Sequence, residues 1–532
     1  MDKTQRRVIL VLGLLSLAAF LLFSIPNSKA SDNLAMVTMF EPDEAVMLPV
    51  IQRMIGPYPD LLHMVYRFIA YSFYSYGFPH FAPSALVYKA LSLFGQETNM
   101  PLLMLALRQI ITVIPMLASL WLLVYMQDQF KTWRSAALFG FMILVPAVVQ
   151  NGFWWHPDGQ VMLYSSLVLF FLWKDQLQFG RYYYIAAAVC GVLVAIKVVG
   201  FFFFLTIGTV LVLGLASKKL NLRQFFVKAG IFILIMAAAI LVASPHLLIP
   251  KHREFAFTIL KREIFETSKG YGVLYEKGLA AAWPTIRDYY GEALFLLITL
   301  GLSIWGLWKR ENRLLRVLIL TWFIPLSTHL LFFSHFKYQY WLPVALPLFS
   351  NLILLLPATR EEWRQKNFFS YLRPVLLLIV LIQLVFFGIN SARRFDYRVH
   401  RAENNPAINF YEKSLAVLEP VIGDMKIYYD YRLYMPNRDR WSIENSFDLL
   451  TYDYIESGNF DLLFLSHQRI RDYLQPSIQG IDPENLIQAQ VFYRDADAGQ
   501  ITGYKLLLRD GTGLLFIRDD VCLEFYSEEI CQ

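Results

Sequence analysis

Between residues 8 and 390 the sequence returns repeatedly to apolar runs, each close to the roughly 20 residues that a helix needs to cross a bilayer core of about 30 Å. Few features constrain a fold more, because a backbone in lipid must satisfy its own hydrogen bonds, and only helices and closed barrels do so. About eleven such runs fall near 8–25, 102–126, 135–150, 159–173, 182–196, 199–216, 226–249, 291–308, 315–333, 339–357 and 372–390. Composition agrees: 56% of residues are apolar and 17% charged, against roughly 45–50% and about 25% in soluble domains. A purely soluble enzyme is all but excluded, and nothing suggests nucleic acid. From about residue 391 the composition becomes that of a soluble domain. The expected fold class is therefore an α-helical polytopic membrane protein over 1–390, with a small soluble α/β domain over 391–532.

Loop charge orients the bundle. With eleven spans and a cytoplasmic N-terminus, the inner connections carry Lys131 and Arg134; Lys174 and Arg181; Lys218, Lys219 and Arg223; Lys309, Arg310, Arg313 and Arg316; and Arg360, Arg364 and Lys366. Each has at least two basic residues, as the positive-inside rule asks. The first run has an alternative reading as a signal peptide, since Arg6 and Arg7 precede it and Ser28-Lys29-Ala30 loosely resembles a cleavage site. On the eleven-span reading the outer side receives the long loops 26–101 and 250–290, short caps at 150–158 and 334–338, and the soluble domain. The 182–216 stretch is too long for one span, and Lys197-Val198-Val199-Gly200 is the natural break. Three cysteines exclude a disulfide scaffold, although Cys522 and Cys531 are close enough to pair in an exported domain.

Polar groups collect on that outer side. Glu41-Pro42-Asp43-Glu44 opens an apolar helix, 45–55, too short to span and suited to the membrane interface. Carboxylates at a helix start complement its dipole; three within four residues also suit proton abstraction or cation binding. The second cap, Asn151-Gly152-Phe153-Trp154-Trp155-His156-Pro157-Asp158-Gly159-Gln160, combines Pro-Asp-Gly turn chemistry with two ionisable groups. Its tryptophans fit the aromatic interface belt. Lys197 interrupts an apolar stretch, which marks either a snorkelling side chain or a functional cation. Lys251, His252 and Arg253 in the 250–290 loop form a basic face suited to phosphate at headgroup level. His335, Lys337 and Tyr340 add further candidates.

Taken in order, these motifs resemble the GT-C glycosyltransferases, in the protein mannosyltransferase and aminoarabinose transferase branch. The resemblance covers roughly residues 1–390. It rests on Glu41-Pro42-Asp43-Glu44, on His156-Pro157-Asp158, on Lys197, on Tyr58-Pro59, and on Tyr340-Trp341-Leu342-Pro343-Val344-Ala345-Leu346-Pro347. It implies transfer of a sugar, with inversion, from a polyprenyl-phosphate donor to a protein, glycan or lipid acceptor at the extracytoplasmic face of the cell membrane. Asp43 matches the family's first-loop aspartate, the candidate general base; Glu44 follows it, and Asp158 matches the second acidic position. Glu41, His156, Lys197, Lys251, Arg253, His335, Lys337 and Tyr340 are the candidate substrate-binding residues. A divalent cation, Mg or Mn, stays open, with Asp43 and Asp158 as its candidate ligands. The Lys-Pro-Pro-Leu segment frequent in aminoarabinose transferases is missing, so the sequence does not point to that sugar.

The chemistry fits the inventory independently: an attacking hydroxyl must lose a proton, and a departing phosphate is stabilised by cations. A multi-span transporter or flippase of a lipid-linked or anionic substrate is the alternative, and a non-catalytic envelope scaffold a third reading. A transporter should carry its ionisable groups near the midplane and show repeated halves. Here they gather at one face, and no internal repeat is visible.

Overall fold

The computed structural model describes residues 2–269, 277–309, 311–357, 368–446, 449–474 and 483–531. Arg310, Arg360, Arg364 and Lys366, expected in inner loops, lie outside the described residues. The chain divides into two compact units. The first comprises Met1–Ser28, Leu48–Glu263 and Lys277–Arg398; the second is chiefly Lys29–Met47 and Val399–Gln532.

The first unit is helical, and each of the eleven apolar runs contains helix. Among the described residues seven helices are long and apolar enough to span a membrane: Lys3–Asn27, Met100–Asp128, Val198–Ala216, Leu222–Ala243, Arg313–Phe333, Tyr338–Leu355 and Tyr371–His400. An eighth would come from Leu279–Tyr290 and Ala293–Trp308, which meet at 82°. The difference from eleven has physical causes. The 135–150 run breaks ahead of Pro146 into Arg134–Ile143 and Pro146–Asn151. Arg181–Ile196 has 16 residues, which at about 1.5 Å each falls short of the hydrocarbon core. Asp158–Asp175 has 18 residues, but Asp158, Lys174 and Asp175 are among them.

Burial sorts these helices into centre and rim. Tyr338–Leu355 is 83% buried and Met100–Asp128 61%, whereas Leu222–Ala243 is only 6% buried. That rim helix reaches Arg181–Ile196 through Gly191, where an added Cβ would lie 2.4 Å from the Met236 carbonyl oxygen. Small residues permit such approach where lipid supplies no hydrophobic drive between helices. The long stretch over 182–216 breaks where its length requires: the helix stops at Ile196, Lys197 is extended (φ −157°, ψ 134°), and a 3₁₀ turn follows over Val198–Phe203.

The second unit contains a five-stranded sheet in the order β2-β1-β3-β5-β4, with β1 Met425–Tyr429, β2 Trp441–Glu444, β3 Leu462–Ser466, β4 Tyr504–Arg509 and β5 Gly513–Arg518. β1 runs parallel to β2 and β3, while β5 is antiparallel to β3 and β4. Alternation along β3 and β5 feeds two cores, as a sheet covered on both faces requires. Leu463, Leu465, Leu514 and Phe516 pack on one face with Phe492 and Tyr493; Leu462, Phe464, Leu515 and Ile517 pack on the other with Phe410. Asp510 closes the β4–β5 hairpin by accepting from the Thr512 and Gly513 amides, and Cys522 is disulfide-bonded to Cys531. The helix Leu34–Phe40 belongs to this unit. Asn33 donates to the Tyr434 hydroxyl at 2.9 Å, Met39 packs against the Phe410 face, and Glu41 pairs with Arg401 at 2.6 Å.

Candidate active site

The turn between Pro146–Asn151 and Asp158–Asp175 is tied down on several sides, which is what gives its side chains fixed directions. Asn27 donates to the Gly152 carbonyl at 2.8 Å, and the Arg398 guanidinium donates to that of Phe153. Trp155 is fully buried and donates its indole N–H to Ser84 Oγ at 2.9 Å. The Thr112 hydroxyl bridges the backbone N–H and carbonyl of His156, at 3.3 Å each. Gly159 sits where a Cβ would lie 2.6 Å from the Thr112 carbonyl oxygen, so the helix start presses directly on that backbone.

Held this way, Asp158 faces two nitrogen groups. Its Oδ1 lies 2.8 Å from Lys197 Nζ, and its Oδ2 lies 2.6 Å from His156 Nδ1. The carboxylate and imidazole side chains are 4% and 2% exposed, the ammonium 19%. Asp158 precedes the apolar stretch of its helix. Burial alone would raise its pKa, but the charges of Lys197 and His156 outweigh that and hold the carboxyl well below the usual carboxylate range. The other ring nitrogen of His156, Nε2, lies 2.8 Å from the Tyr76 hydroxyl. Trp154 stacks on the same imidazole at 4.1 Å and 1°.

Lys197 is delivered to this cluster by the helix break. Gly77 donates its amide to the carbonyl of Ile196 at 3.2 Å, and any Cβ there would overlap the Ala195 carbonyl at 1.6 Å. The ammonium lies 4.3 Å from the centroid of Tyr340, with Lys337 Nζ at 5.8 Å from the same ring. His335, buried, meets Tyr340 edge-on at 6.3 Å. Behind the cluster His80 stacks on Trp155 and touches Gln160 at 3.3 Å. Burial, then the neighbouring charge of His156, pushes the His80 imidazole down to about 3, so it stays neutral.

The structure thus gathers His156, Asp158, Lys197, Lys337, His335 and Tyr340 in one unit. Lys251 and Arg253 are exposed on the first turn of Pro250–Lys269, flanking His252. The His252 ring is held between the hydroxyls of Tyr66 and Tyr74, at 2.8 and 2.7 Å. Glu41, Asp43 and Glu44 belong to the second unit. Glu41 is ion-paired with Arg401, Glu44 is fully buried, and Asp43 is exposed on the first turn of Pro42–Ile55. No three His, Cys, Asp or Glu side chains among the described residues converge to hold a metal. Asp158 offers its two oxygens to an ammonium and an imidazole, which a divalent ion bound there would have to displace. Sequence reasoning missed Tyr76 and Thr112 and assigned Trp154 to the interface belt. One local signal was present for Tyr76: the Tyr-Gly pair ending an aromatic segment, Tyr71 to Gly77.

No protein-family model matches the chain, and no curated protein does. Solved structures do. ArnT from Cupriavidus metallidurans, bound to undecaprenyl phosphate, superposes with a TM-score of 0.54 over 96% of this chain and 97% of its own, at 11% identity. The archaeal oligosaccharyltransferase AglB from Archaeoglobus fulgidus, in complex with an inhibitory peptide and a dolichol-phosphate, matches with a TM-score of 0.52 over 90% of this chain and 72% of its own, at 12% identity. At these identities the likeness is one of fold. The chain is a multi-pass membrane protein whose fold is like that of these two structures.

Proposed function

We propose that this chain is an integral-membrane glycosyltransferase, moving a sugar from a polyprenyl-phosphate donor to an acceptor on a protein, glycan or lipid at the extracytoplasmic face. The observation that carries the reading is Lys197: an ammonium set at a helix break, fixed by a buried carboxylate and accompanied by Lys337 around one tyrosine ring. Cations held in advance where a phosphate departs offset its growing charge with little reorganisation. Support also comes from the fold relatives, whose bound ligands are undecaprenyl phosphate and a dolichol-phosphate.

In this reading the acceptor hydroxyl attacks the anomeric carbon from the face opposite the phosphate, and the configuration inverts. As the new C–O bond forms, the hydroxyl proton passes to the carboxylate of Asp43, with Glu44 beside it. The bond from the anomeric carbon to the phosphate oxygen breaks, and polyprenyl phosphate leaves against Lys197 and Lys337. His156 and Asp158 hold Lys197 in place, His335 and Tyr340 border the phosphate, and Lys251 and Arg253 attract the anionic headgroup.

The test is donor consumption by the full chain in nanodiscs, across a panel of polyprenyl-phosphate sugars with membrane extract as acceptor source. One donor should be consumed. Asp43→Asn should lower kcat by about 10²–10⁴, the usual contribution of a general base, and Lys197→Met should lower kcat as well as raise the donor KM. An Asp43→Asn variant as active as wild type removes the assigned base. No consumption of any donor removes the transferase reading and brings transport of a lipid-linked anion forward.

A further inference from the structure

Two adjacent tryptophans occupy the turn, and the structure separates them sharply. Trp155 is a core pillar: it is fully buried, its N–H is used by Ser84, and His80 covers a face. Trp154 is only part buried. Its indole N–H has one long contact, 3.4 Å to Asn151 Oδ1. Among the described residues its single ring partner is His156, which lies parallel to it. That imidazole is itself immobilised by Asp158 on one nitrogen and Tyr76 on the other. The result is an indole fixed from behind, with no second ring stacked on it.

A tryptophan of the interface belt would need no such backing, since its amphipathic ring is at home among headgroups in many orientations. Rigid backing has value where a flat ligand must be met in one orientation. Aromatic faces carry a partial negative potential, and the axial C–H groups of a pyranose or furanose form a weakly positive, apolar patch that lies flat on such a face. The cluster that fixes the indole also fixes Lys197. We infer that Trp154 is the platform on which the sugar ring of the donor lies, so that it reads the sugar while Lys197 reads the phosphate. This rests on the transferase reading proposed above.

The inference separates two halves of one ligand, and so does its test. The full chain in nanodiscs is assayed for the KM of the consumed donor and for the inhibition constant of the same polyprenyl phosphate without its sugar. Wild type is compared with Trp154→Ala, Trp154→Phe and Lys197→Met. Trp154→Ala should raise the donor KM about tenfold, equivalent to about 1.4 kcal/mol, and leave inhibition by the sugar-free lipid unchanged. Trp154→Phe, which keeps a smaller flat ring, should fall between, while Lys197→Met should weaken both. A role confined to propping His156 would move both constants together, and that outcome overturns the inference, as does a Trp154→Ala variant with an unchanged KM. Should Trp154→Ala fail to fold, Trp154→Phe is decided on the same two constants. Failure of the transferase reading itself shows in wild type, as no donor consumed, and takes this inference with it.

Discussion

Replacing Asp158 by Asn tests whether the cluster is an electrostatic unit or a set of incidental contacts. The carboxylate receives an ammonium at 2.8 Å and an imidazole nitrogen at 2.6 Å. Asparagine keeps the shape but has one acceptor oxygen; its NH₂ must turn towards the other donor. Removing one partner of a buried pair costs roughly 3–5 kcal/mol. Lys197 keeps 19% exposure and regains some hydration, so the lower end applies, about 3 kcal/mol. Thermal unfolding of the full chain in detergent reads this out. At roughly 2 °C per kcal/mol for a large chain, the expected drop is about 6 °C.

Two further readouts make the reasoning refutable. Adding Lys197→Met to Asp158→Asn removes the stranded charge, so the double variant should recover about 2 kcal/mol relative to additivity. The deficit of Asp158→Asn should also persist from pH 5 to 8. A carboxyl whose folded pKa is depressed contributes fully above its unfolded value, about 3.9, and loses that contribution only as the pH falls through the lower folded value. A melting point within 1 °C of wild type, strict additivity, or a deficit that vanishes between pH 5 and 8 would each refute the electrostatic account.

His80 should make wild-type stability fall in mild acid: its folded pKa of about 3 lies below the unfolded value of about 6.5, so the unfolded chain alone takes up the proton, costing about 2 kcal/mol between pH 6.5 and 5. His80→Phe, which keeps a ring against Trp155, should flatten that slope in melts across pH. Gly77→Ala should cost activity and at least about 3 kcal/mol of stability, because its Cβ meets the backbone of the segment that presents Lys197; an active, stable variant would show that the break is set elsewhere. Glu41→Gln should weaken the Arg401 pair in the second unit by about 1.5–3 kcal/mol, measured as faster limited proteolysis within 29–47.

How far the sequence discloses such a protein depends on which helices carry the chemistry. Lipid-facing helices must be apolar all round, and they are the easy ones to read: Leu222–Ala243 has a mean hydropathy of 2.6 and is 6% buried, while the central Tyr338–Leu355 reaches only 1.2 and is 83% buried. A helix shielded by others can be shorter, or carry polar groups, because its neighbours rather than lipid satisfy them. Asp158–Asp175 and Arg181–Ile196, whose ends supply Asp158 and Lys197, are of this kind, which is why the eleven runs all contain helix while a length and hydropathy criterion passes only seven or eight. The break at Lys197 was legible because 182–216 is too long for one span. The 2.8 Å contact across 39 residues from Asp158 to Lys197 was not, since no local pattern encodes a tertiary pair. Nor could spacing tell Trp154 from Trp155: in the sequence they are one aromatic pair, and only the packing of the turn puts the second into the core and leaves the first part buried against His156. A helix too short or too charged to face lipid must therefore be shielded by its neighbours: Arg181–Ile196 departs by its length of 16 residues and Asp158–Asp175 by its charged ends, and these are the two helices beside the cluster.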